Sequence, residues 1–455
     1  MSDTVDCWRP RIHYTPLRGW INDPNGLVYY RGKYHVFAQH NPVAPDNRTP
    51  MHWAHAESVD LLRWNHLPIA LVPDKPFDIG GCWSGSAAED EGRLHLVYSG
   101  VSGEKAEIQS VCLATSADGI AFGKDRANPV IPGPPPGFSR DFRDPRVFRH
   151  GDKWRIVIGS SRDGRGCALL YESSDLVGWK FLGPLAASDG TRGTMWECPD
   201  FFMLEGRGVL VVSPIGVPGV GSMALIGRME EDATRLAVEE MVVLDYGPDL
   251  YAPQTMAGPD GRRIMIAWMD HWGSSKPPTV SAGWRGAFTI PRAIAPGPGG
   301  KGLSIAPVPE LAAARGDVAL DGPGSITAET ADIDIELEDT GGETGCFEIV
   351  LRGSPDGSRG TRISFLKGDD ALVLDRTKSG RVSGGITRIP VAAKSGKRIK
   401  FRVVLDACSV EVFSGDPPTV PCSALIFPEP GDKILSARVT GNGVGLAGFR
   451  AWPVN

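Results

Sequence analysis

The chain contains no long hydrophobic run. None of its apolar stretches reaches the roughly 18 consecutive residues that a membrane-spanning helix needs, so we expect no membrane partner. Residues 1–10 are polar and carry Asp3, Asp6 and Arg9, and they lack the basic start and apolar stretch of a secretory signal. We therefore expect a cytoplasmic protein.

Positive charge is not concentrated anywhere in the chain. The sequence has 48 Lys and Arg against 54 Asp and Glu, which gives a formal net charge of −6. Because nucleic-acid binding requires a basic patch or stripe, a nucleic acid is not an expected partner.

The usual cysteine and serine motifs are also missing. The eight cysteines are scattered and form no C-x-x-C pair, which favours free buried thiols over disulfides or zinc ligands. No G-x-S-x-G sequence is present to support a serine hydrolase.

Glycine and proline, in contrast, are abundant, with 57 Gly and 38 Pro in 455 residues. Frequent turns favour many short strands over long helices. Five segments read as an apolar run, a Gly-containing turn and a second apolar run, which is typical of β-hairpins. Radial closure of five such units protects their sheet edges and predicts a five-bladed β-propeller. The turn glycines, 55 to 60 residues apart, are Gly32, Gly92, Gly151, Gly206 and Gly261.

The pattern changes after Pro291. From about Asp317, alternating strands are separated by Gly, Asp and Ser turns, as in a β-sandwich. The expected fold is all-β, a five-bladed β-propeller followed by a C-terminal β-sandwich. We expect the catalytic propeller domain over residues 1–305, a linker with a short helix over 306–316 and the sandwich over 317–455.

Three acidic residues occupy similar places in three of the five repeats. Asp23 and Glu197 each stand nine residues before their turn glycine, and Asp144 stands seven before its own. Residues just before the first strand of each unit would ring one mouth of the closed array. The sequence therefore predicts that the three carboxylates converge, which is what glycosidic bond cleavage requires.

A retaining glycosidase uses one ionised carboxylate as the nucleophile and one carboxyl group as the acid. We assign Asp23 as the nucleophile, Glu197 as the general acid and then general base, and Asp144 as the group that holds sugar hydroxyls and favours the cationic transition state. Crowding of the three acids should raise the pKa of the acid while hydrogen bonds keep the nucleophile ionised.

Neutral polar and aromatic side chains surround these acids in the sequence. Amides and hydroxyls suit sugar hydroxyl groups, and aromatic faces suit the C–H faces of a sugar ring. Arg143, next to Asp144, is either an ion-pair partner of that acid or a substrate ligand. The other expected substrate-binding residues are Trp20, Asn22, Gln39, Trp53, Trp83, Ser84, Tyr251 and Trp268.

Simpler interpretations exist for each motif alone. Asp-Pro is an ordinary turn sequence, and tryptophans are core residues in most proteins. His52 and His55 are three residues apart, but a strand context argues against metal ligation. A non-catalytic sugar-binding propeller would also gather acids, but the combination of three acids with amide and aromatic neighbours favours an enzyme.

The chain resembles glycoside hydrolase family 32, which contains invertases, sucrose-6-phosphate hydrolases, levanases and exo-inulinases. Residues 20–26 (WINDPNG), 143–145 (RDP) and 197–199 (ECP) are similar to the family's nucleophile, transition-state and acid/base motifs. Residues 82–86 (CWSGS) and 251–254 (YAPQ) resemble its substrate-site segments. Trp83 departs from the family pattern, since many members carry Phe there.

The resemblance implies release of terminal β-fructofuranosyl units with retention at C2, from sucrose, sucrose 6-phosphate or short fructooligosaccharides. It also implies that no metal or organic cofactor is needed. A fructosyltransferase that uses the same covalent intermediate is the alternative. The expected partner is the small sugar substrate, and the expected assembly is a monomer or a homodimer.

Overall fold

The computed structural model describes residues 6–104, 106–382, 384–391 and 398–454. Within these ranges the regular structure is almost entirely β, with 33 strands, one short α-helix and two 3-10 turns. The all-β class expected from the sequence is confirmed. The helix, α1, lies in the segment where a short helix was expected, and the three helical pieces are α1 (Glu310–Ala313) and the turns Pro278–Ala282 and Pro298–Gly300.

The first part of the chain forms five successive antiparallel sheets, which we number 1 to 5. Each sheet has four main strands, and β19 pairs with β1 as a fifth strand of sheet 1. The strands of sheets 1 and 2 are β1 (Gly19–Tyr30), β2 (Lys33–Asn41), β3 (His52–Ser58), β4 (Asn65–Leu71), β5 (Gly81–Asp90), β6 (Arg93–Ser102), β7 (Ile108–Ser116) and β8 (Gly123–Lys124).

Sheets 3 to 5 repeat this arrangement, and each corresponds to one of the repeats in the sequence. Sheet 3 holds β9 (Phe142–His150), β10 (Lys153–Arg162), β11 (Arg165–Ser173) and β12 (Lys180–Ala187). Sheet 4 holds β13 (Met195–Leu204), β14 (Arg207–Ile215), β15 (Met223–Met229) and β16 (Leu236–Val243). Sheet 5 holds β17 (Tyr251–Ala257), β18 (Arg263–Trp268), β20 (Arg292–Pro296) and β21 (Leu303–Pro307), with β19 (Trp284–Arg285) between β18 and β20 in the chain.

The first strands of the five sheets contact one another in a closed cycle, β1–β5–β9–β13–β17 and back to β1. Closure is reinforced by a parallel pairing of β19 with β1, in which Gly19 lies opposite Trp284. Apolar side chains fill the spaces between neighbouring sheets. Sheets 1 and 2, for example, share a core that includes Phe37, Trp53 and Tyr98.

Two-residue turns join the first two strands of sheets 1, 2 and 4. Strand pairing runs up to Tyr30–Lys33, Asp90–Arg93 and Leu204–Arg207, so that two residues close each hairpin. Both turn residues have positive φ, for example 48° at Arg31 and 83° at Gly32. A turn of this kind matches the twist of the strands and favours glycine, which explains the glycine spacing in the sequence.

The second part of the chain forms two six-stranded antiparallel sheets packed over one hydrophobic core. The first sheet contains β22 (Leu320–Asp321), β24 (Ala331–Asp339), β29 (Arg398–Asp406), β30 (Ser409–Gly415), β31 (Pro418–Leu425) and β33 (Val444–Trp452). The second contains β23 (Gly324–Thr327), β25 (Gly345–Gly353), β26 (Thr361–Leu366), β27 (Ala371–Asp375), β28 (Ile386–Pro390) and β32 (Ile434–Gly441).

A buried charge network joins the two parts. His13, which precedes β1, lies between two carboxylates of the sandwich, 2.7 Å from Asp406 and 2.9 Å from Glu411. Glu411 also pairs with Arg292 of sheet 5, and Arg292 binds Asp245 at 2.8 Å. Because these charges are out of water, loss of one partner would leave another uncompensated.

All eight cysteines are free thiols. Within the described ranges, no helix has the length and apolar character that crossing a bilayer demands.

The network predicts a loss of stability at alkaline pH. Asp406 and Glu411 outweigh burial and raise the pKa of His13 from 6.5 to about 9. The stabilising contribution is therefore complete below pH 6.5 and is lost as the pH rises through about 9. The free energy of unfolding, measured by denaturant titration, should fall over this window by on the order of 3 kcal/mol more in the native chain than in His13→Gln.

The matched control is His150→Gln, which replaces a surface histidine and should keep the pH dependence of the native chain. An identical pH dependence in His13→Gln would contradict this account of the network.

Candidate active site

The first strand of each of the five sheets, here called its inner strand, has an irregularity in its pairing with the second strand. In sheets 1, 3, 4 and 5, two residues of the inner strand face a single residue of the second strand, which is a β-bulge. A proline occupies or follows each bulge and has no N–H to donate to the ladder. The bulged pairs are Asn22-Asp23, Asp144-Pro145, Cys198-Pro199 and Ala252-Pro253, and in sheet 2 the unpaired residue is Ser84.

Three of these bulges put a residue other than glycine into the left-handed region. The φ angles are 63° at Asp144, 47° at Cys198 and 51° at Ala252, a conformation that costs about 1–3 kcal/mol per residue. Hydrogen bonds hold the strained amides: that of Asp144 donates to Ser99 Oγ at 2.8 Å and that of Ala252 to Ser213 Oγ at 3.1 Å. The bulges thus turn their residues toward one mouth of the ring.

The strand register refines the sequence-based alignment of the acids. Glu197 directly precedes its bulge, so it is equivalent to Arg143 and Tyr251, whereas Asp144 is equivalent to Cys198. Glu197 therefore lies between its equivalents on the neighbouring sheets. Arg143 Nη2 donates to Glu197 Oε1 at 2.8 Å, and the Tyr251 hydroxyl donates to Glu197 Oε2.

Asp23 accepts hydrogen bonds from three neighbours that the sequence assigned to the site. Asn22 Nδ2 donates to Oδ1 at 3.1 Å. Gln39 Nε2 and Ser84 Oγ donate to Oδ2 at 3.1 and 2.6 Å. Gln39 reaches the side of Asp23 because the β1–β2 hairpin folds the second strand back along the first.

Cys198 joins the two aspartates, a role that the sequence did not reveal. Its Sγ lies 3.5 Å from Oδ2 of Asp23 and 3.5 Å from Oδ2 of Asp144. Its backbone N–H donates to the same Asp144 oxygen at 2.9 Å. Two carboxylates that are far apart in the chain are thereby held within reach of one sulfur atom.

Burial and mutual repulsion raise the pKa of both aspartates. For Asp23, burial and the charge of Glu197 outweigh the hydrogen bonds from Ser84, Asn22 and Cys198, and the pKa lies above its usual value. For Asp144, burial with the charges of Asp23 and Glu197 outweighs Arg143 and raises the pKa to about 7. Burial and repulsion therefore oppose the hydrogen bonds that were expected to keep Asp23 ionised, and its ionised state stays a prediction.

The three acids line one cavity of about 540 Å³. Four of the other expected site residues line it with them, namely Asn22, Gln39, Trp83 and Arg143. Three more support the acids from behind: Ser84 and Tyr251 through the bonds above, and Trp20 by donating its indole N–H to Asn22 Oδ1 at 2.9 Å.

Two tryptophans expected as aromatic walls lie instead in the core. Trp53 is fully buried, and its indole N–H donates to the backbone carbonyl of Trp83 at 3.1 Å. Trp268 is also fully buried and packs edge-on against Trp20, with ring centroids 5.7 Å apart. Trp53 packs in the core shared by sheets 1 and 2. Trp268 packs behind the cavity, against Tyr251 and Trp272 as well as Trp20. Neither exposes a face to the mouth, which the sequence motifs alone do not reveal.

Trp272, which was not among the expected site residues, has a side chain that is 46% exposed and lines the cavity. Trp272 lies four residues after the end of β18. Its ring centroid is 5.0 Å from that of Trp268 and 6.3 Å from that of Trp20. A second aromatic residue four positions after the end of a strand was the available signal. Arg48 and Met51, from the β2–β3 loop, also line the cavity and carried no motif.

The two closely spaced histidines do not form a metal site with each other. His55 Nε2 lies 3.0 Å from His35 Nδ1, and its ring stacks on Phe37 with centroids 4.0 Å apart. His52 contacts the backbone carbonyl of Pro50 instead.

Both parts of the chain match sequence models of one known family. The sequence model for the N-terminal domain of the glycosyl hydrolases family 32 matches residues 13–307. The model for the C-terminal region of the same family matches residues 310–453. The chain belongs to glycosyl hydrolase family 32. The family match thus spans both the ring of five sheets and the sandwich.

Relatives within family 32 match the chain along most of its length. A sucrose-6-phosphate hydrolase of Zymomonas mobilis is 36% identical, over 93% of this chain and 87% of the relative. A raffinose invertase of Escherichia coli is 42% identical, over 63% of this chain and 62% of the relative. Among solved structures, a β-fructofuranosidase of Bombyx mori superposes with a TM-score of 0.84 at 31% identity and covers 99% of this chain and 94% of that one.

The raised pKa of Asp144 predicts that its neutral analogue stabilises the protein. The folded state binds the proton of Asp144 more tightly than the unfolded chain does. The stability that this proton contributes is complete below pH 3.8 and is lost as the pH rises through about 7. Asp144→Asn should therefore match the native chain near pH 4 and melt several degrees higher above pH 7. Melting temperatures at pH 4, 6 and 8 measure this.

Asp163→Asn, a change at an exposed residue, serves as the control and should leave the melting temperature unchanged at each pH. A lower melting temperature for Asp144→Asn at pH 8 would contradict the electrostatic argument.

Proposed function

We propose that this chain is a retaining β-fructofuranosidase, which hydrolyses the bond between a terminal fructosyl unit and the rest of a small sugar. The observation that carries the proposal is the convergence of Asp23, Asp144 and Glu197 on one cavity in a family 32 chain. Two carboxyl groups on opposite sides of a glycosidic bond are the minimum for a double displacement, and a third can stabilise the charge that develops.

In the first step, Asp23 attacks C2 of the fructosyl unit, and Glu197 gives its proton to the departing glycosidic oxygen. The C2–O bond breaks with its electron pair on the leaving oxygen, and a fructosyl ester forms on Asp23. In the second step, Glu197 takes a proton from water, the hydroxide attacks C2, and Asp23 leaves. Asn22, Gln39 and Ser84 keep Asp23 oriented through both steps.

The charge balance of the cavity favours a cationic transition state. The carboxylates of Asp23 and Asp144 repel one another in a buried site, and Arg143 pairs with Glu197 and with Asp141 rather than with Asp23. Positive charge that develops on the fructosyl ring relieves this repulsion, whereas a neutral substrate does not. Stabilisation confined to the transition state raises kcat.

The proposed substrates are sucrose, sucrose 6-phosphate and short fructooligosaccharides. Similar proteins that span this chain almost completely include a sucrose-6-phosphate hydrolase, a β-fructofuranosidase solved in complex with sucrose and a fructan 1-exohydrolase solved in complex with 1-kestose. A cavity of about 540 Å³ has room for a sugar of this size. The free thiols are compatible with the proposal that the enzyme acts in a reducing cytoplasm. Release of no fructose from sucrose, sucrose 6-phosphate, kestose or inulin would refute the proposed function.

The two catalytic roles can be separated by the leaving group. Asp23→Asn should reduce kcat by roughly 100- to 10,000-fold on sucrose and equally on β-fructosyl fluoride. Glu197→Gln should lose a similar factor on sucrose but should still release fluoride rapidly in a first turnover, because fluoride needs no proton to depart. Fluoride and fructose release are measured by rapid quench.

The matched control is Glu205→Gln in the exposed turn of sheet 4, which should behave like the native chain. Equal losses on both substrates in Glu197→Gln would contradict its role as the acid.

A further inference from the structure

The loop that carries Trp272 forms a wall between the active-site cavity and a second cleft. On one side, the Trp272 side chain lines the cavity of the three acids. On the other side, residues 270–277 border a cleft of about 290 Å³, whose far wall belongs to the sandwich and includes Arg376 and Phe427. The loop is therefore not backed by continuous packing, and its position depends on specific contacts.

The two residues before Trp272 are anchored separately. Asp270 accepts two hydrogen bonds at 3.2 Å from Arg285, whose guanidinium lies 4.7 Å above the ring of Trp20. His271 Nδ1 lies 3.2 Å from Oδ1 of Asp249, a buried residue of the preceding connection. The anchor at Asp270 is an arginine of the ring of sheets. The anchor at His271 is Asp249, which also contacts the sandwich.

Asp249 connects this second anchor to the sandwich. Its Oδ2 accepts hydrogen bonds from Arg376 Nη1 at 3.1 Å and from the backbone N–H of Leu425 at 2.8 Å. Arg376 Nη1 also donates to the Leu425 carbonyl at 2.7 Å, which fixes the guanidinium on its own side. A line of contacts thus runs from Arg376 through Asp249 to His271, which directly precedes Trp272 in the chain.

This cluster is a structural connection rather than a metal centre. Ligand-capable atoms of Asp249, Asp270 and His271 lie within 4.8 Å of one another. Each carboxylate, however, already has an arginine partner, Arg376 for Asp249 and Arg285 for Asp270. Because both negative charges are compensated, a divalent cation would be placed beside two guanidinium groups, which opposes its binding.

We propose that Arg376 of the sandwich is a positioning residue for substrate binding, which acts through Asp249 and His271 to hold Trp272 against the bound sugar. The sandwich then contributes to affinity in a cavity that none of its own side chains lines among the described residues. This proposal rests on the proposed function, because its test measures the binding of sucrose as the substrate.

A double-mutant cycle on Arg376 and Trp272 tests this. Arg376→Met should raise the KM for sucrose roughly 2- to 10-fold, the range expected for a misplaced aromatic contact, with kcat within about twofold of native. Trp272→Ala should raise KM by at least as much. If Arg376 acts through Trp272, the double variant should have the KM of Trp272→Ala alone.

Multiplicative effects in the double variant, or a loss confined to kcat, would overturn the proposal, because a merely structural role predicts no coupling to Trp272. Arg376→Lys, which keeps a cationic donor, should recover part of the affinity. Arg388→Gln, at an exposed arginine of the same sheet paired with Asp370, is the control and should bind sucrose like the native chain.

If Arg376→Met does not fold, His271→Asn at the partly exposed histidine replaces it in the same cycle. If the native chain does not turn over sucrose, the proposed function fails, and the cycle is then measured as the Kd for fructose by calorimetry. Coupling or additivity in that measurement decides the positioning role independently.

Discussion

The site depends on a shared interruption of the inner strands. At one level of the ring, four sheets carry a proline in or directly after a two-residue bulge, and the ladder is broken there. Around that break, Asp144 within its bulge and Glu197 directly before its own bulge both line the same cavity. The backbone strain at Asp144 and Cys198 is offset by the hydrogen bonds that these same residues make.

The bulges also explain how charges far apart in sequence are brought together. Residues at equivalent positions meet across sheet boundaries, as Arg143, Glu197 and Tyr251 do, and residues one step further along meet as Asp144 and Cys198 do. One row therefore supplies the carboxyl group of Glu197 with a cation and a hydroxyl. The other row supplies Asp144 with the thiol of Cys198, which also reaches Asp23 one position further along its own strand. Different environments for chemically similar groups allow different roles.

Local signals in the sequence were sufficient for the repeats, the class of fold and the convergence of the three acids on one cavity. Gly-containing turns and Asp-Pro or Cys-Pro motifs specify backbone geometry directly, and the Gln39–Asp23 contact follows from hairpin folding. The burial of a side chain depends on distant parts of the chain and is not a local property. Trp53 and Trp268 were misassigned for this reason, Trp272 was missed, and the link from Arg376 joins residues more than 100 positions apart.

In the proposed mechanism, Asp23 forms a covalent bond to the sugar while Asp144 and Glu197 do not. Glu197→Gln mixed with β-fructosyl fluoride should accumulate the fructosyl ester, because the second step lacks its base. Rapid quench, digestion and mass spectrometry should find one added fructosyl unit on the peptide that contains Asp23. A label on the peptide of Asp144, or free fructose formed with no labelled enzyme at any time, would contradict the account.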